Sequence, residues 1–132
     1  MTAMIEGQCL CGAVTVRAEQ TKDFMTACSC EDCRRWTGGV NFTFNVDETT
    51  AEITGPVKTI SIQPWAERGF CGECGSPLFS HVEVAPGMVW IKAGTLDDTS
   101  GFAPTMQIWG KSKQCWLELG DIPMFDTVPD AN

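Results

Sequence analysis

The stretch Val40-Asn41-Phe42-Thr43-Phe44-Asn45-Val46 alternates apolar and polar side chains without a break. Because successive side chains of a β-strand point to opposite faces, this period of two predicts a half-buried strand with one face in the core. Similar short runs, separated by turn signals such as Gly55-Pro56 and Pro86-Gly87, occur along the chain. They cover residues 13–18, 57–63, 77–84, 88–93, 105–109 and 114–119. The pattern predicts an all-β fold of antiparallel sheets.

One short helical turn is expected over residues 31–36, directly after Cys30. Gly38-Gly39 follows it, and glycine readily adopts the left-handed conformation that ends a helix. Such a turn would place Cys30 and Cys33 on neighbouring sides of one helical turn.

Seven of the eight cysteines fall into three short clusters. The clusters are Cys9-Leu10-Cys11, Cys28-Ser29-Cys30-Glu31-Asp32-Cys33 and Cys71-Gly72-Glu73-Cys74. This spacing suits metal ligation by thiolates, whereas a disulfide framework is typical of smaller, secreted, loop-rich chains. The seven sulfurs divide into four and three. A structural zinc is closed by four ligands, whereas a catalytic zinc keeps three protein ligands and one open position, so we expect two zinc ions per chain.

The segment Cys71-Gly72-Glu73-Cys74-Gly75 is similar to a zinc knuckle, in which a cysteine ends a strand and glycines let the backbone turn. Cys9 and Cys11 would supply the second pair. The two pairs are about 60 residues apart, so the fold must bring them together. We predict a closed structural zinc site of Cys9, Cys11, Cys71 and Cys74.

The remaining cluster, Cys28, Cys30 and Cys33, would hold the second zinc with its fourth position free for an exogenous thiol. Three thiolates leave a net negative charge on such a site. We therefore expect the adjacent Arg34 and Arg35 to offset that charge and to join the catalytic group.

An alternative is that a fourth side chain closes this second site and makes both zinc ions structural. The candidates are His81, Cys115, Asp32 and Glu31. His81 lies in a strand-like segment and is expected to be a packed or surface residue, and Cys115 precedes Trp116 in an apolar run and is expected to be a buried thiol.

The tryptophans and one arginine allow further expectations. Most of the tryptophans lie in or near predicted strands and are expected to fill the core: Trp36, Trp90, Trp109 and Trp116. Trp65 follows Pro64 in a polar loop and could line a cleft near Cys71. Arg68 could bind a substrate carboxylate, although an exposed arginine is usually only solvated.

Charge and hydropathy exclude several classes of protein. The net charge is −8 and the nine Lys and Arg residues are scattered, which argues against binding to nucleic acid or to an anionic membrane. Residues 1–7 lack the features of a secretory signal, and no apolar run approaches the ~18 residues of a membrane span. We expect a cytoplasmic protein with one zinc-binding domain over residues 1–132 and a core from about 5 to 125.

Three motifs and their flanks are similar to a known family. The motifs are Gly7-Gln8-Cys9-Leu10-Cys11-Gly12-Ala13-Val14, then Cys28-Ser29-Cys30-Glu31-Asp32-Cys33-Arg34-Arg35 with Thr37-Gly38, then Arg68-Gly69-Phe70-Cys71-Gly72-Glu73-Cys74-Gly75. Later landmarks are Trp90, Gly94-Thr95-Leu96-Asp97, Pro104, Trp116 and Asp121-Ile122-Pro123-Met124-Phe125. They resemble those of the glutathione-dependent formaldehyde-activating enzymes, which share a domain with centromere protein V.

The resemblance implies a zinc-binding all-β architecture, often called a β-tent. It also implies a structural zinc on Cys9, Cys11, Cys71 and Cys74, and a more labile zinc on Cys28, Cys30 and Cys33. The family's reaction adds glutathione to formaldehyde to give S-hydroxymethylglutathione, which is a carbon–sulfur lyase reaction in reverse. One departure is Ser29, because many members have histidine at that position.

The leading hypothesis is therefore a zinc-dependent carbon–sulfur lyase-type enzyme. It would form or cleave adducts of glutathione, or a similar small thiol, with an aldehyde such as formaldehyde. The rival hypothesis is a non-enzymatic thiol or zinc carrier, or a structural interaction module, on the same fold.

Overall fold

The computed structural model describes residues 3–20 and 25–129. In chain order its strands and its helix are β1 (Ala3–Gln8), β2 (Thr15–Gln20), β3 (Met25–Cys28), α1 (Glu31–Thr37), β4 (Asn41–Asp47), β5 (Glu52–Thr54), β6 (Val57–Ile60), β7 (Ala66–Cys71), β8 (Pro77–Val82), β9 (Met88–Lys92) and β10 (Met106–Ile108). Short 3₁₀ turns follow β4 and β9 directly, and a third, Gly110–Ser112, comes shortly after β10. The expected all-β class with one short helix is confirmed.

The strands form two sheets. The smaller sheet has the order β1-β2-β5, and the larger has the order β10-β3-β4-β9-β8-β7-β6. All the pairings between these strands are antiparallel except that of β10 with β3, which is parallel. A parallel neighbour requires a long crossover, and here the chain leaves β3 and returns only about 80 residues later.

The main core lies between the two sheets. The alternating burial of β2 turns Val16 and Ala18 inward from the smaller sheet. The larger sheet contributes Phe44, Val46 and Ile91, all less than 2 % exposed. A smaller cluster, separate from this core, contains Cys28, Cys33 and Ile108.

A close backbone contact fixes how β1 meets the larger sheet. Gly7 forms a bridge with Leu96, just after the 3₁₀ turn that follows β9. A Cβ atom at Gly7 would lie 1.8 Å from the Thr95 carbonyl oxygen, so a side chain there would force the two segments apart.

Six of the seven sequence-predicted strands overlap an observed strand, but the prediction over residues 114–119 is wrong. That segment forms turns, in which the Leu117 amide bonds the Gln114 carbonyl and the Lys113 ammonium bonds Gln114 and Leu117 carbonyls. A run with strand-like composition needs a neighbouring strand to complete its hydrogen bonds. Trp116, which we expected in the core, is 75 % exposed.

Helix α1 agrees with its prediction to within one residue and ends at Gly38, whose φ of 91° is left-handed. Of the helices in the described part of the chain, none is long and apolar enough to cross a membrane.

Candidate metal centres and the cavity beside them

Four cysteines meet where the two sheets approach each other. Cys9 and Cys11 lie in the turn between β1 and β2, Cys71 ends β7, and Cys74 lies in the turn between β7 and β8. Their four Sγ atoms all lie within 4.8 Å of one another. The folded chain thus joins two pairs that are far apart in sequence, as the spacing predicted.

The separations of these sulfurs fit a metal and not a disulfide. Cys9 Sγ lies 3.6 Å from Cys11 Sγ, and Cys11 Sγ lies 3.9 Å from Cys71 Sγ. A tetrahedral zinc with Zn–S bonds of about 2.3 Å places its ligand sulfurs roughly 3.8 Å apart, whereas a disulfide requires about 2.0 Å. The donor set is therefore one that zinc would fit.

Backbone amides already point at this cluster. The Val14 amide donates to Cys9 Sγ at 3.3 Å, and the amides of Glu73 and Cys74 donate to Cys71 Sγ at 3.3 and 3.4 Å. Hydrogen bonds to sulfur stabilise the thiolate, the form that ligates zinc.

Ser76 is a residue of this cluster that sequence reasoning missed. Its Oγ accepts a hydrogen bond from the Leu10 amide at 3.1 Å and lies 3.1 Å from Cys74 Sγ. The hydrogen bond from Ser76 lowers the pKa of Cys74 to about 5. Ser76 therefore connects the two cysteine pairs through one hydroxyl. Its position two residues after Cys74 was the available signal.

The second cluster is local in sequence. Cys28 ends β3, Cys30 is the N-cap of α1, and Cys33 lies in the first turn of the helix. The Cys33 amide donates to Cys30 Sγ at 3.3 Å, and the three sulfurs lie within 4.8 Å of one another. Cys28 and Cys33 are buried and Cys30 is half-buried.

In residues 3–20 and 25–129, no fourth His, Cys, Asp or Glu joins this second cluster. His81 instead lies near two carboxylates, 3.4 Å from Glu48 and 3.6 Å from Glu67, as a partly exposed residue. Cys115 is exposed, so the expectation of a buried thiol is wrong. The reason is that its segment has no partner strand.

A hydrogen-bonded chain of two buried polar residues supports Cys33. Asn41 Nδ2 donates to Cys33 Sγ at 3.4 Å, and the Lys92 ammonium donates to Asn41 Oδ1. Hydrogen bonds from Cys28 and Cys30 lower the pKa of Cys33 to about 3, and Asn41 and Lys92 act in the same direction. Hydrogen bonds with Cys30 and Cys33 raise the pKa of Cys28. These contacts favour the thiolate form of Cys33.

Lys92 is a buried charged residue near the three-cysteine cluster that was not among the predicted site residues. It is only 7 % exposed, and desolvation lowers its pKa to about 8 although the Cys33 thiolate opposes that shift. Its ammonium lies 4.3 Å from the centre of the Trp36 ring, and the Arg68 guanidinium lies 5.0 Å from the same ring. A lysine at the end of the apolar run Met88–Lys92 was the only sequence signal.

The three cysteines open onto a cavity of about 720 Å³. Its lining includes Cys28, Cys30 and Cys33 together with Trp65, Arg68, Ser80, Trp90 and Trp109. Trp65 thus lines a cleft as expected, but the cleft belongs to the three-cysteine cluster and not to Cys71. The acidic side chains on the wall are Glu31, Asp32 and Glu83.

Arg34 and Arg35 lie outside the lining of this cavity. Both are exposed on α1, and Arg35 pairs with Glu31 at 2.9 Å. Ser29 is 4 % exposed and its amide donates to the Ile108 carbonyl at 3.1 Å, also away from the lining. Two cations lie over the Trp36 ring. They are Arg68 on β7 and Lys92 on β9, and neither belongs to α1.

Two sheets that meet at a four-thiol cluster, with a three-thiol cluster open to a cavity, define a cysteine-rich β protein with two groups of thiols that could hold metal ions. The sequence profile of the glutathione-dependent formaldehyde-activating enzymes matches residues 4–112. The chain belongs to this family.

Relatives agree with that assignment. A Halomonas elongata protein, provisionally named a glutathione-dependent formaldehyde-activating enzyme, is 28% identical over 127 residues, which are 88% of this chain and 81% of the relative. An uncharacterised lyase of Schizosaccharomyces pombe is 31% identical over 75 residues, 56% of this chain. That match spans only 55% of the yeast protein.

A solved structure supports the fold. A Rhodobacter sphaeroides protein superimposes with a TM-score of 0.64 at 21% identity, covering 91% of this chain and 99% of that one.

Proposed function

We propose that this protein is a zinc-dependent carbon–sulfur lyase-type enzyme that forms or cleaves adducts of glutathione, or a similar small thiol, with an aldehyde such as formaldehyde. The observation that carries the proposal is the incomplete ligand set of Cys28, Cys30 and Cys33 at the wall of a cavity of about 720 Å³. Cavities of roughly 300–1,000 Å³ are typical of sites for small molecules. Family membership supports the thiol and the aldehyde.

Two zinc ions per chain are part of the proposal. Cys9, Cys11, Cys71 and Cys74 would close a structural site, and Cys28, Cys30 and Cys33 would hold the second ion. When bound at the second cluster, zinc would supply a position that holds a substrate thiol as its thiolate.

The chain's own residues prepare the second cluster for this role. Asn41 holds Cys33 through its amide, and Lys92 places a positive charge behind Asn41. That charge offsets part of the negative charge of the thiolates in a protein whose net charge is −8. Arg34 and Arg35, on the exposed face of α1, would add to the offset at longer range.

The proposed reaction conserves atoms and charge. The thiol sulfur bonds to the aldehyde carbon, the carbonyl π electrons move to oxygen, and the proton lost by sulfur ends on that oxygen to give a hydroxymethyl thioether. The reverse reaction breaks the carbon–sulfur bond. Preorganised hydrogen-bond donors would stabilise the negative oxygen that develops between these states.

All eight cysteines are free thiols, which suits a reducing compartment. We therefore propose that the protein is cytoplasmic. We also propose that its residues form one domain.

Exchange NMR with ¹³C-formaldehyde and glutathione tests the function, because it measures interconversion at equilibrium above the fast spontaneous reaction. We expect an exchange rate that rises in proportion to zinc-loaded protein and that Cys33→Ser abolishes. Arg17→Gln, an exposed change on β2, is the matched control. A wild-type rate equal to the background would reject the enzyme. Saturable glutathione binding without added exchange would favour the carrier.

A further inference from the structure

Three cavity-lining residues lie in one row across neighbouring strands. Arg68 on β7 is the register partner of Ser80 on β8, and Ser80 is the register partner of Trp90 on β9. Adjacent strands are about 4.8 Å apart, and directly paired residues project to the same face. All three residues line the cavity that contains the three-cysteine cluster.

Arg68 is a cation without an anionic partner. It is half-buried, and the salt bridges among the described residues do not include it. Its recorded contact is with the face of Trp36 at 5.0 Å, and the charge of Lys92 lies near enough to interact unfavourably with it. An unpaired guanidinium at the wall of a cavity, in a chain of net charge −8, is unusual.

Ser80 provides a second, independent observation. It is 4 % exposed, and its Oγ has no hydrogen-bond partner in the described structure. The indole Nε1 of Trp90 is also buried without a partner. Buried polar groups are nearly always hydrogen-bonded, so unused donors beside a cavity indicate a site that a ligand completes.

We propose that Arg68 and Ser80 form a subsite for a carboxylate, and that the protein selects small thiols that carry a carboxylate within reach of the thiol. Arg68 binds the carboxylate oxygens through its planar donors, and a side-chain rotation of Ser80 adds a hydroxyl donor. The inference rests on the proposed function, which places the thiol of the ligand at the three-cysteine cluster. It adds a carboxylate as the second group of the ligand that the protein recognises.

The charges of the cavity favour this placement. Glu31 and Asp32 belong to α1 and Glu83 follows β8, and these three lining residues would repel a carboxylate. The row from β7 to β9 carries the guanidinium of Arg68, the hydroxyl of Ser80 and the indole N–H of Trp90, all of which can donate a hydrogen bond, and it has no carboxylate. A carboxylate therefore has one favourable place in the cavity, and the thiol remains free to reach the cysteines.

A pair of isosteric thiols tests the proposal without any aldehyde. Titration calorimetry on zinc-loaded protein at pH 7 compares 3-mercaptopropionate with its neutral amide, 3-mercaptopropionamide. We expect the acid to bind about tenfold more tightly, as for a charge-assisted hydrogen bond in a partly exposed site. In Arg68→Gln the two dissociation constants should become equal, with the amide bound as in the wild type.

Control variants separate recognition from folding. Arg17→Gln should keep the full preference, and Arg68→Lys should keep part of it because lysine retains the charge without the planar donors. Ser80→Ala should reduce the preference while leaving the thermal midpoint unchanged or higher, since the deleted hydroxyl has no partner in the free protein. A role in packing alone would lower the midpoint and affect both thiols equally.

The inference is overturned if the wild type binds neither thiol, if it does not prefer the acid, or if Arg68→Gln keeps the preference. A Ser80→Ala protein with the full preference would remove Ser80 from the subsite. Because no aldehyde is present, a carboxylate preference that persists in a protein without exchange activity would reject the proposed reaction and leave this subsite intact.

Discussion

Lys92 shows how one buried charge prepares the three-cysteine cluster. An unpaired ammonium is costly to bury, and desolvation accordingly lowers its pKa to about 8. Its contacts include the side-chain Oδ1 of Asn41 and the Trp36 ring, and its charge favours the Cys33 thiolate. The thiolate and the lysine therefore stabilise each other in the buried interior.

Replacing Lys92 with methionine should weaken zinc retention at this cluster. The variant keeps the length of the side chain but removes the charge, so the thiolates lose a nearby cation. We expect an affinity loss of about tenfold or more for the second zinc, measured by competition with a chromogenic chelator. Lys58→Met, on the exposed surface of β6, is the control. Equal zinc retention in both variants would contradict the role assigned to Lys92.

Cys115 should be the fastest-reacting thiol of the zinc-loaded protein. It is exposed, whereas the other cysteines belong to the two clusters. Titration with a thiol-reactive disulfide reagent should show one fast equivalent that Cys115→Ala removes without a change in zinc content. Any fast equivalent that remains in the alanine variant would mean that a cluster exchanges its metal rapidly.

Helix α1 and its N-cap residue carry two of the three cysteines of the second cluster, and α1 is too short to be an independent helix. Seven residues cannot sustain a helix alone, so its caps matter. Cys30 Sγ accepts the Cys33 amide at the start, and at the end the Gly38 amide donates to the Arg34 carbonyl at 2.9 Å. The cap that begins the helix is itself a proposed ligand.

Gly38→Ala should loosen the end of this helix. The position has a φ of 91°, so a side chain costs roughly 1 kcal/mol even though nothing lies within 4 Å of the added Cβ. Gly39→Ala is a matched control, because its Cβ also has free space and its φ is not positive. Chemical denaturation should show the loss only in Gly38→Ala. An equal loss in both variants would point to the loop as a whole.

At the scale of the molecule, the four-cysteine cluster joins the two sheets. One pair of cysteines belongs to the β1–β2 turn of the smaller sheet and the other to the β7–β8 turn of the larger sheet. The proposed metal would close a loop of about 60 residues, which would restrict the unfolded chain as well as hold the folded one. The three-cysteine cluster, by contrast, lies within one strand and the helix that follows it.

The two clusters should therefore differ in their effect on stability. Structural zinc contributes on the order of 10–16 kcal/mol of apparent binding energy, comparable with the ~7–20 kcal/mol expected for a folded chain of this length. Cys74→Ser should lower the thermal midpoint by roughly 20 °C or more, whereas Cys33→Ser should reduce zinc from two to one with a small change in the midpoint. Calorimetry with elemental analysis distinguishes these outcomes, and a larger fall in Cys33→Ser would reverse the assignment.

Much of this architecture was predictable because local signals determine it. The alternation of apolar and polar side chains predicted β4, and the glycines after Thr37 predicted the end of α1. The predicted runs do not include β1, β3, β5 or β7, because these segments are short or alternate too weakly to show a clear period. Residues 114–119 have the composition of a strand and form turns, since strand formation depends on a partner that composition does not reveal.

The order of residues along the chain is enough to divide the seven clustered cysteines into four and three, and to place Cys28, Cys30 and Cys33 together, because these three lie within six residues of one another. Which other side chains face that cluster depends on how distant strands pair. Arg34 and Arg35 are adjacent in sequence, but helix geometry leaves them on the exposed surface. Arg68, Ser80 and Lys92 come from three different strands. Hydrogen-bonded register between distant segments places Arg68 and Ser80 in the lining of the cavity, and it places Lys92 beside Asn41, which bonds Cys33.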